Sequence, residues 1–294
     1  MFHNYYRQIK YNVKEVSIDN NEILSKIIKI SENDQDIDNY FFDIEMRFMV
    51  DIDCIRNQSE ITERMRFLLV DWVMVVHSKI KFHPYTLYLS INMIDRYIKE
   101  VNIKKSNLWL VGITCLYLAS KYEEKYFAPH TDFIHISGHE YSKEQLFNME
   151  KKILNTLNFS LTAPSSLYFL NLYIKQLPMN DHYKHLCYYI LELCLLDFKM
   201  NKFRPSTIAY GSILISNVLK NDSDTQIDII KNYIKCKLDE FLECIIFQIE
   251  LINQSAEKNH HAFKKYSSTQ YNNISSIIIS DEKIEIIKSL FIKM

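Results

Sequence analysis

Ten histidines and six cysteines carry most of the metal-binding, basic and nucleophilic chemistry open to this 294-residue chain. His130, His135 and His139 cluster, and His135 and His139 have the i, i+4 spacing that puts two imidazoles on one helix face. Gly138 interrupts such a helix and no His-Glu-x-x-His word occurs, so structural or surface histidines and no metal site are expected. Cys54, Cys115, Cys187, Cys194, Cys236 and Cys244 never form Cys-x-x-Cys, and most sit in apolar helical patterns. Reduced, buried thiols of a cytosolic or nuclear protein are the expectation. Gly211-Ser212 lacks the Gly-x-Ser-x-Gly elbow, and Glu123-Glu124 would point about 100° apart on a helix, a poor catalytic carboxylate couple. Gly112, Gly138 and Gly211 are too far apart to build a phosphate-cradling loop. Neither catalysis nor a cofactor is expected.

The elements that must position any functional side chain are helical. Three glycines and no Asn-Gly pair disfavour a many-stranded sheet. Ile61 to Lys81 carries apolar residues at Met65, Leu68, Leu69, Trp72, Val73, Val76 and Ile80, a helical stripe. Thr86 to Ile98, Leu108 to Tyr122, Thr131 to Ile136 and Ser142 to Leu157 complete a first set, the third apolar on nearly every side and the last opened by a Ser142/Gln145 capping box. After Pro164 the scheme restarts with Ser165 to Lys175, Tyr183 to Phe198, Pro205 to Leu219, Thr225 to Tyr233 and Leu238 to Ile252. Ile94-Asp95 and Leu196-Asp197 are read as matching helix ends 102 residues apart; Gly112 and Gly211, in the two all-apolar helices, are 99 apart. An internal duplication of a five-helix unit follows.

A 48% hydrophobic composition suffices for packed cores, and no uncharged apolar run reaches membrane-spanning length. The first 30 residues lack the uninterrupted apolar region of a signal peptide. The formal net charge of −1 gives no general attraction to nucleic acid, so neither direct nucleic-acid binding nor a membrane partner is expected. Eight acids between Ser31 and Asp53 face one base, Arg47, and read as a solvated leader. Asn253 to Asn273 reads as a polar linker before a short amphipathic helix.

A series of words then stands out: Met65-Arg66-Phe67-Leu68-Leu69-Val70-Asp71-Trp72, Ile94-Asp95-Arg96-Tyr97, Leu110-Val111-Gly112, Ala119-Ser120-Lys121-Tyr122-Glu123-Glu124 and Met149-Glu150. Ala163-Pro164-Ser165, Leu191-Glu192-Leu193 and Pro205-Ser206-Thr207-Ile208-Ala209 extend them. From about Asp53 to Ile252 the chain resembles the cyclins, most closely the mitotic A/B type. The resemblance implies an all-α fold of two tandem five-helix cyclin-box domains with N-terminal and C-terminal helical extensions. The expected divisions are an acidic N-terminal leader or helix (1–55), a first box (56–162), a second box (163–253), and a polar linker with a short C-terminal helix (254–294).

The resemblance further implies a non-catalytic subunit that binds and activates a cyclin-dependent kinase, as a heterodimer, in cell-cycle (G2/M-like) control in the nucleus or cytoplasm. Lys121 and Glu150 match the pair that meets the kinase αC helix, with Tyr122 and Phe159 as neighbours. Arg66 and Asp95 match an internal ion pair, and Leu110 a core position beside them. Met65, Leu68, Trp72 and Leu108 match a patch that docks short Arg-x-Leu peptides of substrates or inhibitors. Here Val75 stands where an acid is expected and Trp109 where a polar residue is, which alters the implied peptide selectivity. Alternatives are a cyclin for a transcription-associated kinase and a promoter-bridging transcription factor with a duplicated box. The latter calls for a Cys-rich zinc ribbon and a basic surface, against an acidic leader whose one cysteine is Cys54.

Overall fold

A computed structural model describes residues 36–175, 179–220 and 236–292. Among these residues every regular element is helical. Residues 36–44 form α1, followed by 3-10 turns at Glu45–Phe48 and Ile52–Ile55. The first repeat contains α2 (Glu63–Ile80), α3 (Pro84–Glu100), α4 (Leu108–Glu123), α5 (His130–Ile136) and α6 (Lys143–Thr156). The second contains α7 (Ser166–Ile174), α8 (Asp181–Leu196), α9 (Pro205–Lys220) and α10 (Leu238–Lys258); α11 (His261–Tyr266) and α12 (Asp281–Ile292) follow. The helix expected at Thr225 to Tyr233 lies outside the described residues.

Each repeat is built around the helix that lacks a polar face. In α4 residues 110–120, and in α9 residues 206–218, are buried without a break, so neighbours must surround them. α4 packs on α2, α3 and α6, and α9 on α7, α8 and α10. Their glycines admit close neighbours: a Cβ at Gly112 would lie 2.5 Å from Leu69 Cδ1, and one at Gly211 would lie 2.2 Å from Gln248 Oε1. Helix starts follow local capping. Thr62 Oγ1 accepts from Met65 N, Pro84 opens α3, and Ser142 and Gln145 form a reciprocal capping box on α6.

Three expectations change. Asp95 does not end its helix, because α3 continues to Glu100, whereas Asp197 follows α8 and caps a 3-10 turn through Lys199 N at 2.9 Å. The two aspartates therefore do different work, and the glycines are the better marks of duplication.

From residue 36 onward the acidic stretch is not a solvated leader. Phe42, Ile44, Glu45 and Val50 are buried, while Asp36, Asp43, Asp51 and Asp53 stay exposed. Glu45 accepts from Ser206 N at 3.0 Å and Ser206 Oγ at 2.8 Å, satisfying free donors at the start of α9. Asn92 Nδ2 donates to Phe48 O at 3.3 Å, so the same segment also touches the first repeat.

The expected polar linker is likewise packed. α10 runs to Lys258 and ends at Asn259 in the left-handed region, and His260 caps α11. Asp71 on α2 accepts from His261 N at 2.7 Å, Ser78 Oγ bonds His261 Nε2 at 2.8 Å, and Glu192 on α8 pairs with Lys265 and accepts from Tyr266 OH at 3.0 Å. This strap joins both repeats with few apolar anchors, chiefly Ala262 and Tyr266.

Candidate partner-binding site

The end of α4 and its C-cap residue Glu124 send four consecutive side chains to four different tasks. Lys121 forms an ion pair with Glu150 of α6 at the surface, its Nζ also lying 4.6 Å from the Tyr117 ring centroid. Tyr122 is hydrogen-bonded through its hydroxyl to Thr162 on the inter-repeat connection. Glu123 faces a cleft. Glu124 accepts from His83 N at 2.7 Å and from Thr86 Oγ1, holding the entry of α3. The rotation of about 100° per residue that made Glu123-Glu124 a poor acid couple is what separates these tasks.

Several aromatic residues that flank Lys121 and Glu150 in the chain are exposed. Phe147, one turn before Glu150 on α6, is 36% exposed, and Tyr126 and Phe127, just beyond α4, are 82% and 52% exposed. Phe159 is 66% exposed on the turn after α6, where Asn158 and Phe159 both have positive φ, 50° and 56°. Left-handed backbone is costly for an aromatic residue, and Phe159 N is held by a 2.9 Å bond to Leu154 O. The turn thus holds a large apolar side chain out of the core. Phe147 was not among the expected site residues, because periodicity alone cannot assign an aromatic near Lys121 to surface or core.

On α2, Met65, Leu68 and Trp72 share a face, with Leu68 42% exposed. Leu108 departs from the expected patch: it is 1% exposed and belongs to the core under the start of α4. The neighbouring Trp109, 36% exposed, meets Trp72 edge-on with centroids 5.3 Å apart, so the pair of indoles forms the accessible edge. Val75 is partly buried and offers no carboxylate.

Arg66 and Asp95 meet in the interior. Arg66 Nη1 also donates to Leu196 O at 3.0 Å and to Leu195 O, and Asn201 Nδ2 donates to Asp95 Oδ2 at 2.9 Å. The network therefore joins α2 and α3 to the end of α8, a link between repeats that no local sequence signal encodes. Leu110 is buried, at 6% exposure.

Burial pushes the Cys54 thiol up to about 11 and the Cys187 and Cys194 thiols up to about 12, so these are packing groups rather than nucleophiles. His135 and His139 meet edge-on, centroids 5.4 Å apart, around Gly138. Among the described residues no group of three His, Cys, Asp or Glu side chains is placed to hold a metal ion, and no helix is long and apolar enough to cross a membrane.

Two family descriptions match this chain: the cyclin N-terminal domain over residues 36–162 and the cyclin C-terminal domain over residues 164–280. The chain belongs to the cyclin family. This cyclin is 35% identical over 240 residues to a G2/mitotic-specific cyclin-B of Dictyostelium discoideum, covering 81% of the present chain and 55% of the relative. It is 32% identical over 253 residues to a G2/mitotic-specific cyclin-A of Patella vulgata, covering 85% and 59%. The chain thus spans between half and three-fifths of these relatives' lengths. A viral cyclin from herpesvirus saimiri shares the fold, with a TM-score of 0.66 at 18% identity over 78% of this chain and 98% of that one. The first family match begins at residue 36, the first residue of α1.

Proposed function

We propose that this cyclin is the non-catalytic regulatory subunit of a cyclin-dependent serine/threonine kinase, acting at a G2/M-like stage of the cell cycle in the nucleus or cytoplasm. The observation that carries the reading is the Lys121–Glu150 ion pair between α4 and α6, flanked in the chain by exposed aromatics. A self-neutralised pair offers one strong donor and one strong acceptor without net charge. That combination suits the polar groups at a helix end or its preceding loop, while Phe159 and Tyr122 supply apolar anchoring.

A kinase needs its αC glutamate paired with the β3 lysine before the nucleotide phosphates are properly held. A rigid helical surface that binds the inward αC position more tightly than the outward one raises the active population without entering the chemistry. The G2/mitotic-specific names of the relatives support the cell-cycle stage.

The Met65–Leu68–Trp72 face is proposed as a secondary docking surface for short apolar peptides. With Val75 and the Trp72–Trp109 pair in place of acidic and polar groups, arginine in such a peptide gains no carboxylate there. Recovery of a kinase from host-cell extract on the immobilised cyclin, identified by mass spectrometry and assayed on histone, tests the main reading. Recovery of no kinase contradicts it.

A further inference from the structure

α6 carries an open stripe beside its buried one. Leu146, Met149 and Ile153 are buried, whereas Lys143, Phe147, Glu150 and Leu154 follow one another at steps of three and four residues along a face that is exposed or half-buried. Glu150, within that stripe, is the partner of Lys121.

Phe147 is joined to the ion pair through a third residue. Its ring centroid lies 6.4 Å from that of Tyr117 on α4, and Lys121 Nζ lies 4.6 Å from the same Tyr117 centroid. Tyr117 is buried, so it forms a common floor under Lys121 and Phe147, and the surface between them is continuous. The His130 ring at the start of α5 stands 5.4 Å from Phe147. With these contacts made, 36% of Phe147 still faces solvent. An aromatic ring fixed by packing and left partly open brings large apolar area to an interface at small cost in side-chain freedom.

Lys143 supplies an independent observation. It is the first residue of α6, where the helix dipole disfavours a cation, and no ion pair from the described residues reaches it. Its Nζ lies 5.5 Å from the Phe147 ring centroid, while Glu144 points about 100° away round the helix. α6 gains little from a lysine here until an external carboxylate meets it.

We infer that the kinase-facing surface extends from the Lys121–Glu150 pair along α6 to Phe147 and Lys143, and that this extension selects a kinase presenting an apolar side chain with a carboxylate beside it. The inference rests on the kinase reading and deepens it. The ion pair is neutral overall, so discrimination among kinases falls to the open ring and the unpaired cation next to it. A kinase with lysine or arginine at the facing position would meet Lys143 and be rejected.

The kinase recovered from host-cell extract on the wild-type cyclin, once purified, is the probe, and its binding is measured for wild type, Phe147→Ala, Phe147→Leu, Lys143→Glu and Lys121→Ala. Phe147→Ala is expected to weaken affinity roughly ten-fold at any ionic strength, with most of the loss restored in Phe147→Leu. Lys143→Glu should slow association roughly ten-fold at low salt and much less at high salt, a pattern that a fold defect does not produce. Thermal melts check each variant; Lys143 is exposed, so its variant decides should Phe147→Ala not fold. Wild-type affinity in Phe147→Ala, or wild-type association of Lys143→Glu at low salt, overturns the inference. Lys121→Ala judges the kinase reading separately: weakened binding there, with wild-type behaviour of the Phe147 and Lys143 variants, overturns the extension alone. Recovery of no kinase overturns both.

Discussion

The guanidinium of Arg66 holds both oxygens of Asp95, Nε 2.9 Å from Oδ1 and Nη2 2.6 Å from Oδ2, with 1% and 3% of the two side chains exposed. Two helices of the first repeat are thereby locked, and the same guanidinium reaches the carbonyls that end α8 in the second. A pair so buried is a poor source of net stability but very costly to break, because the survivor is left as an uncompensated charge.

Asp95→Ala or Arg66→Ala is therefore expected to destabilise the protein by about 3–5 kcal/mol. Replacing both residues with apolar side chains should cost less than the sum of the single changes. Urea denaturation of the three variants measures this; additive losses would show that the two groups act independently.

Glu45 gives a second test. Its buried carboxylate takes two donors from Ser206, so Glu45→Ala should cost about 1–3 kcal/mol and loosen α1 from the second repeat. Limited proteolysis should then cut near residues 45–55 well before the core. An unchanged cleavage pattern would mean that α1 is held by its aromatic contacts, such as the 4.7 Å Phe42–Phe169 approach, and not by the cap.

The C-terminal strap makes stability depend on pH. Burial lowers the His260 pKa from 6.5 to about 4, outweighing the opposing pull of Asp71. The unfolded chain therefore takes up a proton between about pH 6.5 and pH 4 that the folded protein refuses, so stability falls as pH drops through that window. From pH 7 to pH 5 the loss from this residue is about 1–2 kcal/mol, and His260→Gln should flatten the curve by that amount in urea titrations.

Gly211→Ala should destabilise by about 1–3 kcal/mol despite alanine's better helix propensity, because the added methyl meets Gln248, whose Nε2 is bonded to Ile208 O at 2.8 Å. Gly112→Ala meets the free end of Leu69 and should cost less. Thermal melts of the two variants rank them.

What could be read in the sequence was what is encoded locally. The unbroken apolar runs at 110–120 and 206–218, the Ser142/Gln145 capping box and the two glycines all depend on near neighbours in the chain. Glu45 and the His260–Tyr266 strap were misread for the opposite reason. Their partners, Ser206, Asp71 and Glu192, lie 161, 190 and 73–74 residues away, and counting charge in a window makes a docked polar segment look like a solvated one. At the candidate site, the family resemblance singled out Lys121 and Glu150, which the structure joins in an ion pair. It carried Leu108 to the surface by analogy, whereas the turn entering α4 buries Leu108 and exposes Trp109.

The most direct test of the account is the equilibrium affinity between this cyclin and the kinase it recovers from host extract, measured for wild type, Lys121→Ala and Glu150→Ala with folding checked by thermal melt. Each substitution breaks the surface pair without touching the core, so melting should barely move while kinase binding weakens by about 2–5 kcal/mol. Wild-type affinity in both variants would contradict the assignment of this rim as the kinase-binding surface.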